Sequence, residues 1–223
     1  MPRAVPIAVL LLALVAPASS AAPAPPPRVP DAAAAIVVDA VDGTVLFAKR
    51  PDERRSIAST TKLMTALLAL EQAAPDQVFT APRYDAMPAE SRINLREGER
   101  MTVEDLLEAL LLESANDAAV ALAENISGSR EAFVEEMNER AAELGLDDTS
   151  YANPIGLDEA GNYSTARDLA TLATRLLRNR RFARIVDMPE ADLETGSHPR
   201  VVANRNDLVE RYPWVDGVKT GFT

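Results

Sequence analysis

The chain has 223 residues, enough for one large domain or two small ones. Its formal net charge of −11 lacks the basic face that phosphate binding needs, so no nucleic-acid partner is expected. With no cysteine and a single histidine, His198, disulfides, thiolate metal sites, His-rich zinc sites and the His-Glu-x-x-His pattern are all excluded.

Residues 1–22 read as a signal peptide. Arg3 supplies positive charge, Ile7 to Val15 an apolar core, and Ala16, Ala18, Ser19, Ser20 and Ala21 a run of small residues. The apolar run is short for a membrane span. The protein is therefore expected to be exported, to a periplasm or the outer face of the cytoplasmic membrane. A Pro/Ala-rich linker follows at 23–33, and 34–223 reads as one domain.

Ala35-Ile36-Val37-Val38-Asp39 and Thr44-Val45-Leu46-Phe47-Ala48 are β-rich runs around Asp42-Gly43, the pattern of an antiparallel hairpin. Next comes Ala58-Ser59-Thr60-Thr61-Lys62 and a run to Glu71 that is apolar almost all round, as in a buried helix. A loop with Pro75, Pro82 and Pro88 precedes a capping-box-like Thr102-Val103-Glu104-Asp105. That box opens a helix with Val103, Leu106, Leu107, Leu110 and Leu111 as its stripe, ending near Glu113. A second helix spans about 117–126. A third is capped by Ser129, carries Phe133, Val134, Met137, Ala141 and Leu144, and stops at Gly145. Asn153-Pro154-Ile155-Gly156 is a loop, and Thr165 opens a fourth helix with Leu169, Leu172, Ala173, Leu176 and Leu177 inward. Strand character returns at Val201-Val202 and at Val215 to Gly221. Strands, then helices, then strands predict an α+β fold: an antiparallel sheet in which early and late strands pair, flanked by helices, plus a helical lobe.

Three short patterns carry chemistry. Ser59 and Lys62, one helical turn apart, share a face, which places a hydroxyl beside an amine that can act as its base. The chain has three lysines, Lys49, Lys62 and Lys219, among 23 lysines and arginines. Arginine cannot release its proton in a protein, whereas a desolvated lysine can approach neutrality, so a base at 62 must be lysine. The bland alternative makes Ser59 an N-cap. Ser114-Ala115-Asn116 lies between two helices, and it either faces a cleft or caps a helix. Lys219-Thr220-Gly221 offers a cation and a hydroxyl suited to a carboxylate, with a glycine where a ligand backbone could approach, or else is a polar strand end. A triad through His198 would have to work from Gly196-Ser197-His198-Pro199, a surface-turn sequence.

In this order the three patterns match the signature of penicillin-binding proteins and class A β-lactamases. The chain resembles the low-molecular-mass penicillin-binding proteins, specifically the serine-type D-alanyl-D-alanine carboxypeptidases, over nearly everything after the linker. The likeness extends to Ser114-Ala115-Asn116-Asp117-Ala118-Ala119, Asn153-Pro154-Ile155-Gly156-Leu157-Asp158, Ser164-Thr165-Ala166-Arg167-Asp168-Leu169-Ala170 and Val215-Asp216-Gly217-Val218-Lys219-Thr220-Gly221-Phe222-Thr223. It is weaker to β-lactamases: Ser114-Ala115-Asn116 lacks their middle aspartate, and Glu159-Ala160-Gly161-Asn162 has the wrong spacing for their water-activating loop.

The resemblance implies a β-lactamase/transpeptidase-like domain and the following roles. Ser59 attacks the bond between the terminal D-alanines of a peptidoglycan pentapeptide, and neutral Lys62 takes its proton. Ser114 relays a proton to the leaving D-alanine. Asn116 holds a substrate amide and orients Lys62. Lys219 and Thr220 bind the terminal carboxylate, and Gly221 and Phe222 line the substrate, with the backbone N–H groups of Ser59 and Phe222 as an oxyanion hole. No metal or organic cofactor is implied, and β-lactam antibiotics would be covalent inhibitors. A D,D-endopeptidase, a β-lactamase and a non-catalytic β-lactam- or peptidoglycan-binding protein are the alternatives. The family continues beyond Lys-Thr-Gly, whereas this sequence stops at Thr223. The domain is therefore expected to be incomplete at its C-terminus, with an unpaired strand edge, low stability or activity, and any membrane association left to a C-terminal region absent here.

Overall fold

Two largely buried, mostly apolar helices form the centre of the molecule, a computed structural model describing residues 32–222. The expected signal peptide, 1–22, and nearly all of the expected linker, 23–33, lie outside the described residues. The central helices are α1 (Lys62–Gln72) and α3 (Asn116–Ser127). From Ala118 to Ala123 every α3 side chain is fully buried, and in α1 so are Met64, Ala66 and Ala69. Small residues at the contact let the two backbones approach closely, and Leu63, Leu67 and Leu68 fill the remaining space. Each such leucine is worth ~1.5–3 kcal/mol of burial.

Amphipathic elements wrap this pair. The predicted hairpin is present as β1 (Ala35–Val38) and β2 (Val45–Lys49), antiparallel, with Val37 opposite Phe47 and a bulge at Val38. The proline-containing loop hides a second ladder, β3 (Val78–Thr80) with β4 (Arg100–Thr102). These strands escape a sequence reading because each has three residues, of which only the middle one, Phe79 or Met101, is buried.

Helix α2 (Val103–Glu108) starts as expected, with Thr102 Oγ1 accepting from the Asp105 N–H at 3.2 Å. The reciprocal half of the capping box does not form. The Asp105 carboxylate accepts instead from the Glu194 and Thr195 N–H groups, while Thr195 Oγ1 accepts from the Thr102 N–H. The last turn, Ala109–Glu113, widens into a π-helical turn ending on Ser114. Helices α4 (Arg130–Glu143) and α5 (Ala166–Leu177) carry the predicted caps, Ser129 and Thr165, and bury Phe133, Met137 and Ala141, and Leu172 and Leu176. Beyond them lie α6 (Arg180–Asp187), the ladder of β5 (Glu190–Leu193) with β6 (Arg200–Ala203), and the short α7 (Asp207–Arg211). A buried ion pair, Arg200 with Glu99 at 2.8 Å, fastens β6 to the turn before β4. Burial opposes ionisation of Glu99, but the Arg200 hydrogen bond and the Ser197 and Arg96 N–H groups hold it down at about 2.

The α+β class stands, but the sheet differs from expectation. Among the described residues the strands form three separate two-stranded antiparallel ladders, and no early strand pairs with a late one. Val215 to Gly221 is not a strand. Gly217 sits at φ +110, outside extended backbone, against Val186, and the chain then passes Ile57–Ser59 by close packing rather than by a ladder.

Candidate active site

The Ser59 turn is built under constraint. Ala58 to Thr61 form a 3₁₀ turn leading into α1, and Ala58 has φ +45, a left-handed conformation costly for a residue with a Cβ. The turn is held by Thr60, whose N–H donates to the Ile57 carbonyl at 3.1 Å and whose hydroxyl donates to the same oxygen. Upstream, Arg55 and Ser164 exchange backbone hydrogen bonds of 2.9 and 3.1 Å, fastening the approach to Ser59 onto the start of α5. Ser59 does not cap a helix: no side-chain cap bond is made at the start of the turn or of α1. Its Oγ lies 3.1 Å from Lys62 Nζ.

Lys62 is fully buried. Besides facing Ser59, its Nζ donates to the Ile155 carbonyl at 2.5 Å, and one turn on Thr65 Oγ1 donates to the Pro154 carbonyl at 2.7 Å. The Asn153–Gly156 loop is thus latched along α1. Asn153 Oδ1 accepts from the Gly156 N–H at 2.7 Å and shapes the loop. Gly156, at φ +89, packs so closely that a Cβ there would stand 2.0 Å from the Ala58 carbonyl oxygen. Burial, foremost, and then the positive charge of Lys219 lower the Lys62 ammonium to about 7, with Glu90 opposing. Near neutrality a large share of Lys62 is therefore the free amine, the form that can take a proton from Ser59.

Ser59 opens into a cleft of about 390 Å³ that Ser114, Asn116, Thr220, Gly221 and Phe222 also line. Ser114 has φ +64 at the end of the π-helical turn, and its buried Oγ has no hydrogen-bond partner among the described residues. Neither Ser114 nor Asn116 caps α3, since no side-chain cap bond is made there. The unpaired hydroxyl of Ser114 is free for a ligand or a proton relay. Gly221 runs beside the nucleophile turn, its Cβ position 3.4 Å from the Ser59 nitrogen. Phe222 reaches the cleft while 96% exposed. Lys219, expected beside Thr220 at a bound carboxylate, is not among the residues lining the cleft; its Nζ donates to the Thr220 carbonyl at 2.9 Å. Burial and the nearby Arg205 lower it to about 8, with Glu113 opposing.

One expected contact is absent. Asn116 does not orient Lys62: its Nδ2 donates to Glu90 at 2.7 Å, and the partners of Lys62 Nζ are Ser59 and Ile155. Glu90, a cleft residue, was not recognisable from the sequence, because it lies in an irregular loop and belongs to no spaced pattern. The same holds for Arg205, which lines the cleft and pairs with Glu113. His198 stands on an exposed turn lined by 193–199, away from the cleft. Glu159 accepts from Asn153 Nδ2 at 3.1 Å and serves the loop.

Comparison with known proteins agrees with this arrangement. The family model described as "Peptidase_S11: D-alanyl-D-alanine carboxypeptidase" matches residues 20–223. The chain is 42% identical over 200 residues to D-alanyl-D-alanine carboxypeptidase DacF of Bacillus subtilis, covering 86% of this chain and 51% of that protein. It is 36% identical over 199 residues to the D-alanyl-D-alanine endopeptidase of Pseudomonas aeruginosa, covering 85% of this chain and 62% of that protein. The solved structure of a serine-to-alanine mutant of the Streptomyces K15 DD-transpeptidase superposes with a TM-score of 0.82 at 32% identity, covering 86% of this chain and 81% of that one. The chain spans about half the length of relatives such as DacF.

Proposed function

The chain belongs to the D-alanyl-D-alanine carboxypeptidase family, and on that premise we propose that it is a serine-type D-Ala-D-Ala carboxypeptidase of cell-wall biogenesis. The observation that carries this reading is Lys62: buried, near neutrality at about 7, and 3.1 Å from Ser59 Oγ at the edge of a cleft.

In the proposed cycle Ser59 Oγ bonds to the carbonyl carbon of the penultimate D-alanine while its proton passes to Lys62 Nζ. The negative charge on the carbonyl oxygen is met by the backbone N–H groups of Ser59 and Phe222. When the C–N bond breaks, the proton moves from Lys62 through the unpaired Ser114 hydroxyl to the departing amine. Water then attacks the ester by the reverse route, giving the shortened peptide and free Ser59. Thr220, in the cleft, binds the terminal carboxylate together with Lys219, whose Nζ leaves the Thr220 carbonyl to reach it, and Asn116 binds the substrate backbone. No step calls for a metal or organic cofactor. A β-lactam enters the same sequence and stops at the ester. The substrate and the signal-like N-terminus favour work in a periplasm or at the outer face of the cytoplasmic membrane.

The test is mass spectrometry after exposure to a labelled penicillin, alongside release of D-alanine from a peptide ending in D-Ala-D-Ala. Adduct on the Ser59 peptide together with D-alanine release is expected. No adduct, or an adduct elsewhere, overturns the reading. The likeness to an endopeptidase supports a second reading, which cleavage of cross-linked muropeptides in preference to pentapeptide would favour.

A further inference from the structure

We propose that Glu90 is a positioning residue of this site: its carboxylate fixes which way the Asn116 amide faces, and its charge balances the amine of Lys62. The inference rests on the catalytic reading above for its kinetic readout only.

Glu90 is the most heavily engaged side chain on the cleft wall. Its Oε2 accepts from Asn116 Nδ2 at 2.7 Å and from the Tyr84 hydroxyl, and its Oε1 accepts from the Met87 N–H at 2.8 Å. A carboxylate only accepts, so Asn116 must turn its NH₂ toward Glu90. Its Oδ1, which has no donor among the described residues, is left as the acceptor available to a ligand N–H. A neutral partner that can both donate and accept would permit either orientation. The backbone of Asn116 is tied to the same loop, its N–H donating to the Ser91 carbonyl at 2.8 Å. The loop and the Ser114–Asn116 junction are therefore joined by both backbone and side chain.

The charges facing the group are few. Ser59, the partner of Lys62 Nζ at 3.1 Å, lines the same cleft as Glu90, and Lys219 and Glu90 act on Lys62 with opposite sign. Tyr84 is kept protonated by burial and by Glu90 itself, and Arg130 sits over its ring at 5.4 Å. Lys219 has Arg205 and Glu113 as its own neighbours. Partial burial disfavours ionised Glu90, but the Tyr84, Asn116 and Met87 donors outweigh it and hold the carboxyl below its usual range. At neutral pH Glu90 is thus an anion on the wall of the cleft that Ser59 also lines. It keeps the Lys62 amine from falling to a basicity too weak for a general base.

The experiment compares the full chain with Glu90→Gln and Glu90→Asp. Lysine labelled with ¹³C at Cε gives three side-chain signals, one for each lysine of the chain, so Lys62 can be titrated directly by NMR. Glu90→Gln, which removes the charge at constant size, is expected to lower the Lys62 midpoint by roughly 0.5–1 pH unit. The pH at which penicillin acylation half-develops should fall with it, and the plateau rate should drop roughly 10-fold as Asn116 loses its fixed orientation. Glu90→Asp keeps the charge but shortens the reach, so it should lower the plateau while moving the midpoint little. An unmoved Lys62 midpoint in a folded Glu90→Gln protein overturns the charge role, and an unchanged plateau in both variants overturns the positioning role. If the unsubstituted protein is not acylated at all, the proposed function fails, and the NMR titration still decides the charge role of Glu90.

Discussion

The two walls of the cleft are built differently. Ser59 and Lys62 sit on a turn and helix embedded in the core, with the Asn153–Gly156 loop latched over them by Lys62, Thr65 and the bare Cα of Gly156. The wall from Lys219 to Phe222 has no ladder, exposes Thr220 and Phe222, and packs Gly221 against the nucleophile turn. The proposed proton transfer from Ser59 to Lys62 would depend on tenths of an ångström, and the first wall is the one where packing leaves no slack. Binding a carboxylate tolerates a softer support. Substitutions in the first wall should therefore damage chemistry or folding, and those in the second should weaken capture.

The largest effect is expected from Ser59→Ala, which should abolish penicillin labelling, at least ~10³-fold in rate, with the fold retained. Lys62→Arg should come close behind, ~10²–10⁴-fold, because the guanidinium keeps the charge yet cannot act as base. Near-normal acylation in Lys62→Arg would erase the contrast between the walls. Gly156→Ala should cost about 2–4 kcal/mol in denaturant unfolding, since its Cβ would meet the Ala58 oxygen at a positive φ. Gly221→Ala faces contacts of 3.2 Å and longer without a positive φ, and should cost less than about 1 kcal/mol.

Smaller effects should come from the second wall. Lys219→Ala is expected to reduce acylation by a carboxylate-bearing substrate roughly 10–100-fold, while leaving the thermal midpoint nearly unchanged. The pH profile of the second-order acylation rate should sharpen the same comparison. It should rise through about 7 as Lys62 loses its proton and fall above about 8 as Lys219 loses its own. Stability carries the opposite face of Lys62. Its folded value lies below the unfolded value, so the unfolded chain binds more protons between them. The penalty, on the order of a few kcal/mol, is full below about 7 and is relieved as pH rises toward the ordinary lysine range. A Lys62→Met protein whose stability rises less over that window, keeping only the smaller rise that the lowered Lys219 contributes above about 8, would check the assignment.

Much of this was legible in the sequence for local reasons. The 3.6-residue spacing of apolar side chains, the caps at Thr102, Ser129 and Thr165, and the one-turn separation of Ser59 and Lys62 depend only on neighbours along the chain, and each is found where the pattern puts it. The order of the three motifs was enough to suggest the family. What only the tertiary structure decided involves partners far apart in sequence. Asp105 closes on Thr195 instead of its own capping box, Lys62 finds the Ile155 carbonyl, and Asn116 turns to Glu90 rather than to Lys62. Val215 to Gly221 has the composition of a strand but takes its shape from Gly217 and from the surfaces of Val186 and Ala58. A hydrogen bond between distant residues leaves no periodicity behind, so the groups that tune the nucleophile emerge only when the chain is folded.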